Sequence, residues 1–195
     1  MVPCLTLFLR SIRHTQRLFN IMTGPLRKGG TTMGTSKSGR YINTKGSGQM
    51  PSDYAVIHAN EGTYKRSVGK HTRLRLVSGG HGETGLKQLD KYGIKYSIIK
   101  IYSNGVRIGN IPDHKEKRKR VGVNQAWFPM HWTAKDIKRA GMHVAGMRSN
   151  RHVADGYPIW GTYKGVRVGV IRTHGKIATI FPDTDQSSVL RRRKK

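Results

Sequence analysis

Apolar positions change period several times between residues 53 and 183, and each change marks an element boundary. DYAVIHANEGTY (53–64) reads as a short helix or strand running into a loop. TRLRLV (72–77) alternates apolar and basic residues, the pattern of an exposed strand. In ETGLKQLDKYG (83–93), Leu86 and Leu89 share one side and Gly93 supplies a stop, predicting a short helix with a glycine at its C-terminus. IKYSIIKIYSNGVRIGNIP (94–112) predicts two strands around Ser103-Asn104-Gly105, where Asn-Gly provides the positive φ of a hairpin turn. HWTAKDIKRAGMHVAGM (131–147) predicts a helix capped by Thr133, with Ile137, Ala140 and Val144 at helical spacing. YPIWGTYKGVRVGVIRTHGKIATIFPD (157–183) predicts three strands with turns at Lys164-Gly165 and His174-Gly175. GVRIGN and GVRVGV look alike, but six residues repeated once read as two similar strands, not a duplication.

Helices and antiparallel hairpins in separate blocks predict an α+β fold of small antiparallel sheets and a few short helices. The folded domain is expected over residues 51–187 and a basic tail over 188–195. Residues 1–50 differ. From Thr23 to Met50 they are glycine, serine, threonine and basic residues with few large apolar ones, the composition of a flexible linker. MVPCLTLFLRSIRHTQRLFNIM (1–22) mixes Leu7, Phe8, Ile12, Leu18 and Phe19 with Arg10, Arg13 and Arg17, predicting a short basic amphipathic helix. Its charges follow its apolar run, so it makes a poor secretory signal; it reads as a leader or a helix that docks on a partner.

Charge narrows the partner. The chain has 37 Lys and Arg against 10 Asp and Glu, a net +27, and no acidic residue precedes Asp53. Such an excess suits a polyanion, because each phosphate neutralised releases counterions. Cys4 is the only cysteine, which excludes an intramolecular disulfide and a thiolate zinc site. No apolar run reaches the roughly 20 residues of a membrane-spanning helix.

Nine histidines, at 14, 58, 71, 81, 114, 131, 143, 152 and 174, supply candidate chemistry. Metal-free RNA cleavage needs a base for the ribose 2′-hydroxyl, an acid for the departing 5′-oxygen and a fixed cation for the phosphorane-like transition state. Histidine serves both proton roles near neutral pH. SGGHGETG (78–85) sets His81 behind two glycines, which are expected to clear side chains so that a ribose-phosphate reaches the ring. Trp127, Phe128 and Trp132 read as core, and His131, His143, His152 and His174 as surface or structural residues.

GGH (79–81), NGVRIGN (104–110), QAWFPMHWT (125–133), GVRVGV (165–170) and IATIFPD (177–183) together resemble the bacterial EndoU ribonuclease domain, over about residues 54–186. That family is related to the coronavirus uridylate-specific endoribonuclease domain. Its members include toxin tips of polymorphic and contact-dependent inhibition systems, and domains on phage head-associated proteins. The resemblance implies a His-His-Lys triad. His81 matches one histidine; HANEG resembles the family's His-x-x-x-Gly and makes His58 the other, with His71 the alternative. Relatives often carry Lys-Ser before the Phe-Pro of the next block, where this chain has Gln125. Either the cation comes from HKEKRKR (114–120), as Lys119 or Arg120, or the triad is altered; Lys115 is then a phosphate contact and His114 an alternative acid or base. Thr179 is expected to position the nucleotide. Phe181 stands where the coronavirus relatives have tyrosine, so uridine preference is not implied. Gly80 and Gln125 complete the expected substrate contacts.

The expected activity is metal-independent RNA cleavage giving 2′,3′-cyclic phosphate and 5′-hydroxyl ends, without cofactor, with tRNA among the candidate substrates and a bacterial toxin among the roles. The alternative is a non-catalytic nucleic-acid-binding or virion-associated protein that keeps the fold. A toxin would have an acidic immunity protein as partner. Its place would be the cytoplasm of the producing or target bacterium, or a secreted or virion-associated state.

Overall fold

The structure, a computed structural model, describes residues 50–67 and 72–192. The expectations for residues 1–49, for His71 and for the last three residues of the basic tail lie outside the described residues.

Ser52 starts the first helix, α1 (Asp53–Asn60), by accepting the Ala55 N–H at 3.1 Å, a side-chain N-cap. Gly62, at φ +93°, turns the chain into β1 (Thr63–Arg66), which pairs antiparallel with β2 (Leu74–Ser78). β1 was not anticipated; only four residues long, it carries no clear apolar alternation. α2 (Glu83–Lys91) follows, and Gly93 at φ +63° ends it as expected. β3 (Ser97–Ile101), β4 (Arg107–Asn110) and β5 (Gln125–Trp127) form an antiparallel sheet in that order. The β3–β4 hairpin closes with Gly105 N–H on the Tyr102 carbonyl, and Gly105 alone takes positive φ (+85°). Asn104 instead uses its side chain, accepting from Val106 N–H and donating to the Gly165 carbonyl and Gln186.

α3 (Ala134–Gly146) begins at Thr133 with a full capping box to Asp136. Its apolar stripe, Ile137, Ala140 and Val144, packs on the third sheet, β6 (Pro158–Tyr163), β7 (Val166–Thr173) and β8 (Lys176–Pro182). Lys164-Gly165 (φ 47° and 77°) and His174-Gly175 (φ 52° and 68°) make the two predicted turns, both residues of each pair left-handed. α4 (Ser187–Arg192) follows and buries Val189. Among the described residues the architecture is α+β, with three antiparallel sheets and four α-helices.

Two apolar cores hold these elements. One joins α3 and β6–β8 to Phe128, Trp132, Val106 and Ala59. The other gathers Leu76, Leu86, Leu89, Ile94, Ile111 and Trp127 between β2, α2 and the middle sheet. Trp127 and Phe128 are adjacent and fully buried, one in each core, so β5 is a central seam with no exposed side. Among the described residues no helix is long and apolar enough to cross a membrane.

Candidate active site

A helix leaves its last carbonyls without intrahelical partners. In α1 those of His58, Ala59 and Asn60 accept N–H groups from Gly80, His81 and Gly82 at 3.0, 2.7 and 3.0 Å. The glycine loop is thereby laced onto the end of the helix that carries His58. The lacing explains the glycines and corrects the expectation that they open a path to His81. A Cβ on Gly79 (φ +73°) would stand 2.0 Å from the His58 carbonyl oxygen, and one on Gly85 2.7 Å from that of Asn60. The loop approaches helix backbone. Gly79→Ala combines that clash with a left-handed φ. Denaturant unfolding is expected to show a loss of about 1–3 kcal/mol as the His81 loop is pushed off α1.

His81 is clasped from the other side by β5. Phe128 N–H donates to the His81 carbonyl at 2.7 Å, and His81 Nδ1 lies 2.8 Å from the Ala126 carbonyl oxygen. A carbonyl only accepts, so Nδ1 carries the proton and the neutral ring keeps a lone pair on Nε2. The residue is 7% exposed. Burial, followed by the charge of Lys119, pushes its pKa down to about 3. His58, half-buried on α1, pairs its Nδ1 with Thr63 Oγ1 at 2.9 Å and stacks beneath the exposed Tyr54 one turn earlier. Burial and then Lys119 lower its pKa too. His58 therefore lies on the helix end that the His81 loop is laced to, and its charge adds to the lowering of the His81 pKa; His71, its alternative, lies outside the described residues.

Lys119 sits in a 3₁₀ turn, Lys117–Arg120, between β4 and β5. Its side chain is 14% exposed, and its Nζ is 3.9 Å from Glu116 Oε2. Burial lowers its pKa while the Glu116 carboxylate opposes that shift. Its charge acts on His58, His81 and His114 alike, so four titratable groups share one cluster. Arg120, the other expected cation, is committed elsewhere: its Nε donates to the His114 carbonyl at 2.7 Å and its Nη2 to that of Lys115 at 3.3 Å. Arg120 pins the loop that presents Lys119.

On the opposite wall, the Phe181 ring lies 6.0 Å, centroid to centroid, from His81 and meets Trp160 edge-on at 5.5 Å. Gly169, opposite Phe181 on β7, leaves the space: its Cβ would be 2.7 Å from both rings. Thr179 and Phe181 are two apart on β8 and share a face, so Thr179 flanks the cluster. Both are partly exposed.

Two expected substrate contacts are corrected. Gly80 is buried and its N–H already serves the His58 carbonyl. Gln125 is fully buried on β5, its Nε2 3.5 Å from the Gly79 carbonyl oxygen, so it supports the glycine loop. Lys115 remains exposed, and its backbone N–H ties the Lys119 loop to β2 through the Leu76 carbonyl. His114 is fully buried. The sequence reading missed Tyr54 and Thr63, although Tyr54 at four residues before His58 on a helix was a usable signal. It also missed the Arg107–Glu83 ion pair (2.8 Å), which with Arg107 Nη2 on the Phe128 carbonyl (2.8 Å) locks the start of α2 beside His81. Among the described residues no three His, Cys, Asp or Glu side chains form a metal-binding group.

No curated protein and no solved structure matches the chain. The family model for the bacterial EndoU nuclease matches residues 52–184, a span that runs from the cap of α1 to just beyond β8 and contains His58, His81, Lys119, Thr179 and Phe181. The chain therefore belongs to the bacterial EndoU nuclease family.

Proposed function

We propose that this nuclease cleaves RNA without a metal, by attack of a ribose 2′-oxygen on its own phosphodiester. The observation that carries the reading is the fixed lone pair on His81 Nε2, held on the helix end that carries His58, with the charge of the buried Lys119 bearing on both rings. His81 Nε2 takes the 2′-hydroxyl proton as the 2′-oxygen–phosphorus bond forms. The phosphorus–O5′ bond breaks, and His58, half-exposed and able to draw a proton from solvent, protonates the leaving oxygen. Lys119 offsets charge on the phosphorane from a desolvated position, where a fixed charge acts more strongly than in water. The products are a 2′,3′-cyclic phosphate and a 5′-hydroxyl. Thr179 and Phe181 line the wall where a nucleotide would lie, the phenyl ring offering a face for base stacking. The net charge of +27 supplies salt-dependent affinity for the RNA backbone.

A substrate with a single 2′-deoxy sugar at the cut site tests this reading directly. In EDTA the all-ribose strand is expected to be cut, and the substituted strand to stay intact at that position while still binding. Cutting at the deoxy position would exclude the mechanism. A gel shift without shortening of either strand would favour a binding protein that keeps the family fold.

A further inference from the structure

The chain between β4 and β5 that presents Lys119 has little regular structure, yet Lys119 must be held in place for its charge to act. The loop is tied at Ile111 N–H to the Lys119 carbonyl (2.9 Å) and at Lys115 N–H to the Leu76 carbonyl (2.9 Å). Its centre is His114, whose side chain has no exposed surface. The His114 Nδ1 accepts the Glu116 N–H at 2.8 Å, closing a turn with the geometry that an asparagine or aspartate side chain makes two residues on. Glu116 in turn accepts the Lys119 N–H on its carbonyl (3.1 Å) and faces the Lys119 ammonium with its carboxylate (3.9 Å). The His114 carbonyl meanwhile receives Arg120 Nε. The one hydrogen bond of the imidazole among the described residues leads through Glu116 to Lys119.

The proton inventory shows which atom of the ring is used. Nδ1 accepts, so in the neutral ring Nε2 bears the hydrogen, and that Nε2 is buried without a partner among the described residues. Burial, then the Lys119 charge, lowers the His114 pKa to about 4, which keeps Nδ1 available as an acceptor near neutral pH. A ring with one nitrogen on the Glu116 N–H and the other enclosed is not arranged to exchange protons with RNA.

We infer that His114 is a positioning residue, whose Nδ1 holds Glu116 and through it sets Lys119 against the histidine pair. The inference rests on the proposed reading of that pair. It replaces the sequence-level expectation of His114 as an alternative acid or base.

Asparagine and glutamine separate the two ring nitrogens. The amide oxygen of Asn can stand where Nδ1 accepts, whereas Gln places its polar group near Nε2 and leaves the Glu116 N–H unmet. With H114N, RNA cleavage is expected to stay within about threefold of wild type; with H114Q, kcat is expected to fall roughly 10- to 100-fold, the cost of a slightly misplaced group. A second measurement needs no turnover. In the free protein, NMR titration of the His58 and His81 rings reports the Lys119 charge, so their midpoints should rise in H114Q and hold in H114N. Equal midpoints in wild type, H114N and H114Q would overturn the positioning role. If wild type does not cut RNA but the midpoints still split between the variants, the cleavage reading fails and the positioning of Lys119 stands. A variant H114N as slow as H114Q would also overturn it, because the acceptor at Nδ1 would then be irrelevant.

Discussion

His81→Asn is expected to slow RNA cleavage by roughly 10²–10⁴-fold while leaving the fold close to wild type. The substitution is chosen for its atoms. An asparagine amide N–H can donate to the Ala126 carbonyl as Nδ1 does now at 2.8 Å, and the backbone bonds to Ala59 and Phe128 do not depend on the side chain. What disappears is Nε2, the lone pair assigned to the 2′-hydroxyl proton. His81→Ala should be as slow but also less stable by about 1–3 kcal/mol, because the buried Ala126 carbonyl would lose an acceptor's partner. Single-turnover cleavage and thermal melting, run on both variants, separate the chemistry from the scaffold. Wild-type rates in His81→Asn would remove His81 from the reaction.

Lys119→Met is expected to cost roughly 10²–10³-fold in kcat, the usual consequence of removing one stabilising group from a developing charge. It should also leave a signature in pH. Lys119 lowers the pKa of both His58 and His81, so removing its charge raises both. Both limbs of the kcat/KM profile should therefore move to higher pH, with the wild-type limbs lying below the ordinary imidazole value of about 6.5. Lys119→Arg keeps the charge in a larger, planar group and should shift the limbs little while still slowing turnover. A rate loss with unmoved limbs would place Lys119 away from the histidines.

Much of the secondary structure was readable because it rests on local rules. The N-cap threonine of α3, the left-handed pairs Lys164-Gly165 and His174-Gly175, and the stop at Gly93 are properties of a few adjacent residues. β5 was not readable. A three-residue strand buried throughout has no alternation to detect, so its one aromatic residue, Trp127, read only as core. GVRIGN and GVRVGV are indeed both strands, yet their glycines do different work. Gly109 makes room for the β3 backbone at Ser97, and Gly169 for the Phe181 and Trp160 rings. Nothing in six similar residues distinguishes those neighbours.

By itself, the sequence determined the α+β class, the strongly basic charge, His81 within its glycine loop, and His58, Lys119, Thr179 and Phe181 as candidates. It did not determine how they combine. Lys119 and Arg120 are adjacent and both cationic; only the folded loop turns the guanidinium onto carbonyls and buries the ammonium beside Glu116. Gln125 occupies the place of an expected cation and is sealed inside β5. Gly79 and Gly80 suggested an open approach, yet the tertiary structure uses them to lay backbone on the end of α1. That contact brings His58 to His81 across 23 positions of chain. Local residues set turns and caps, whereas burial and charge coupling arise only between segments far apart in the chain, and they decide which polar groups form the site.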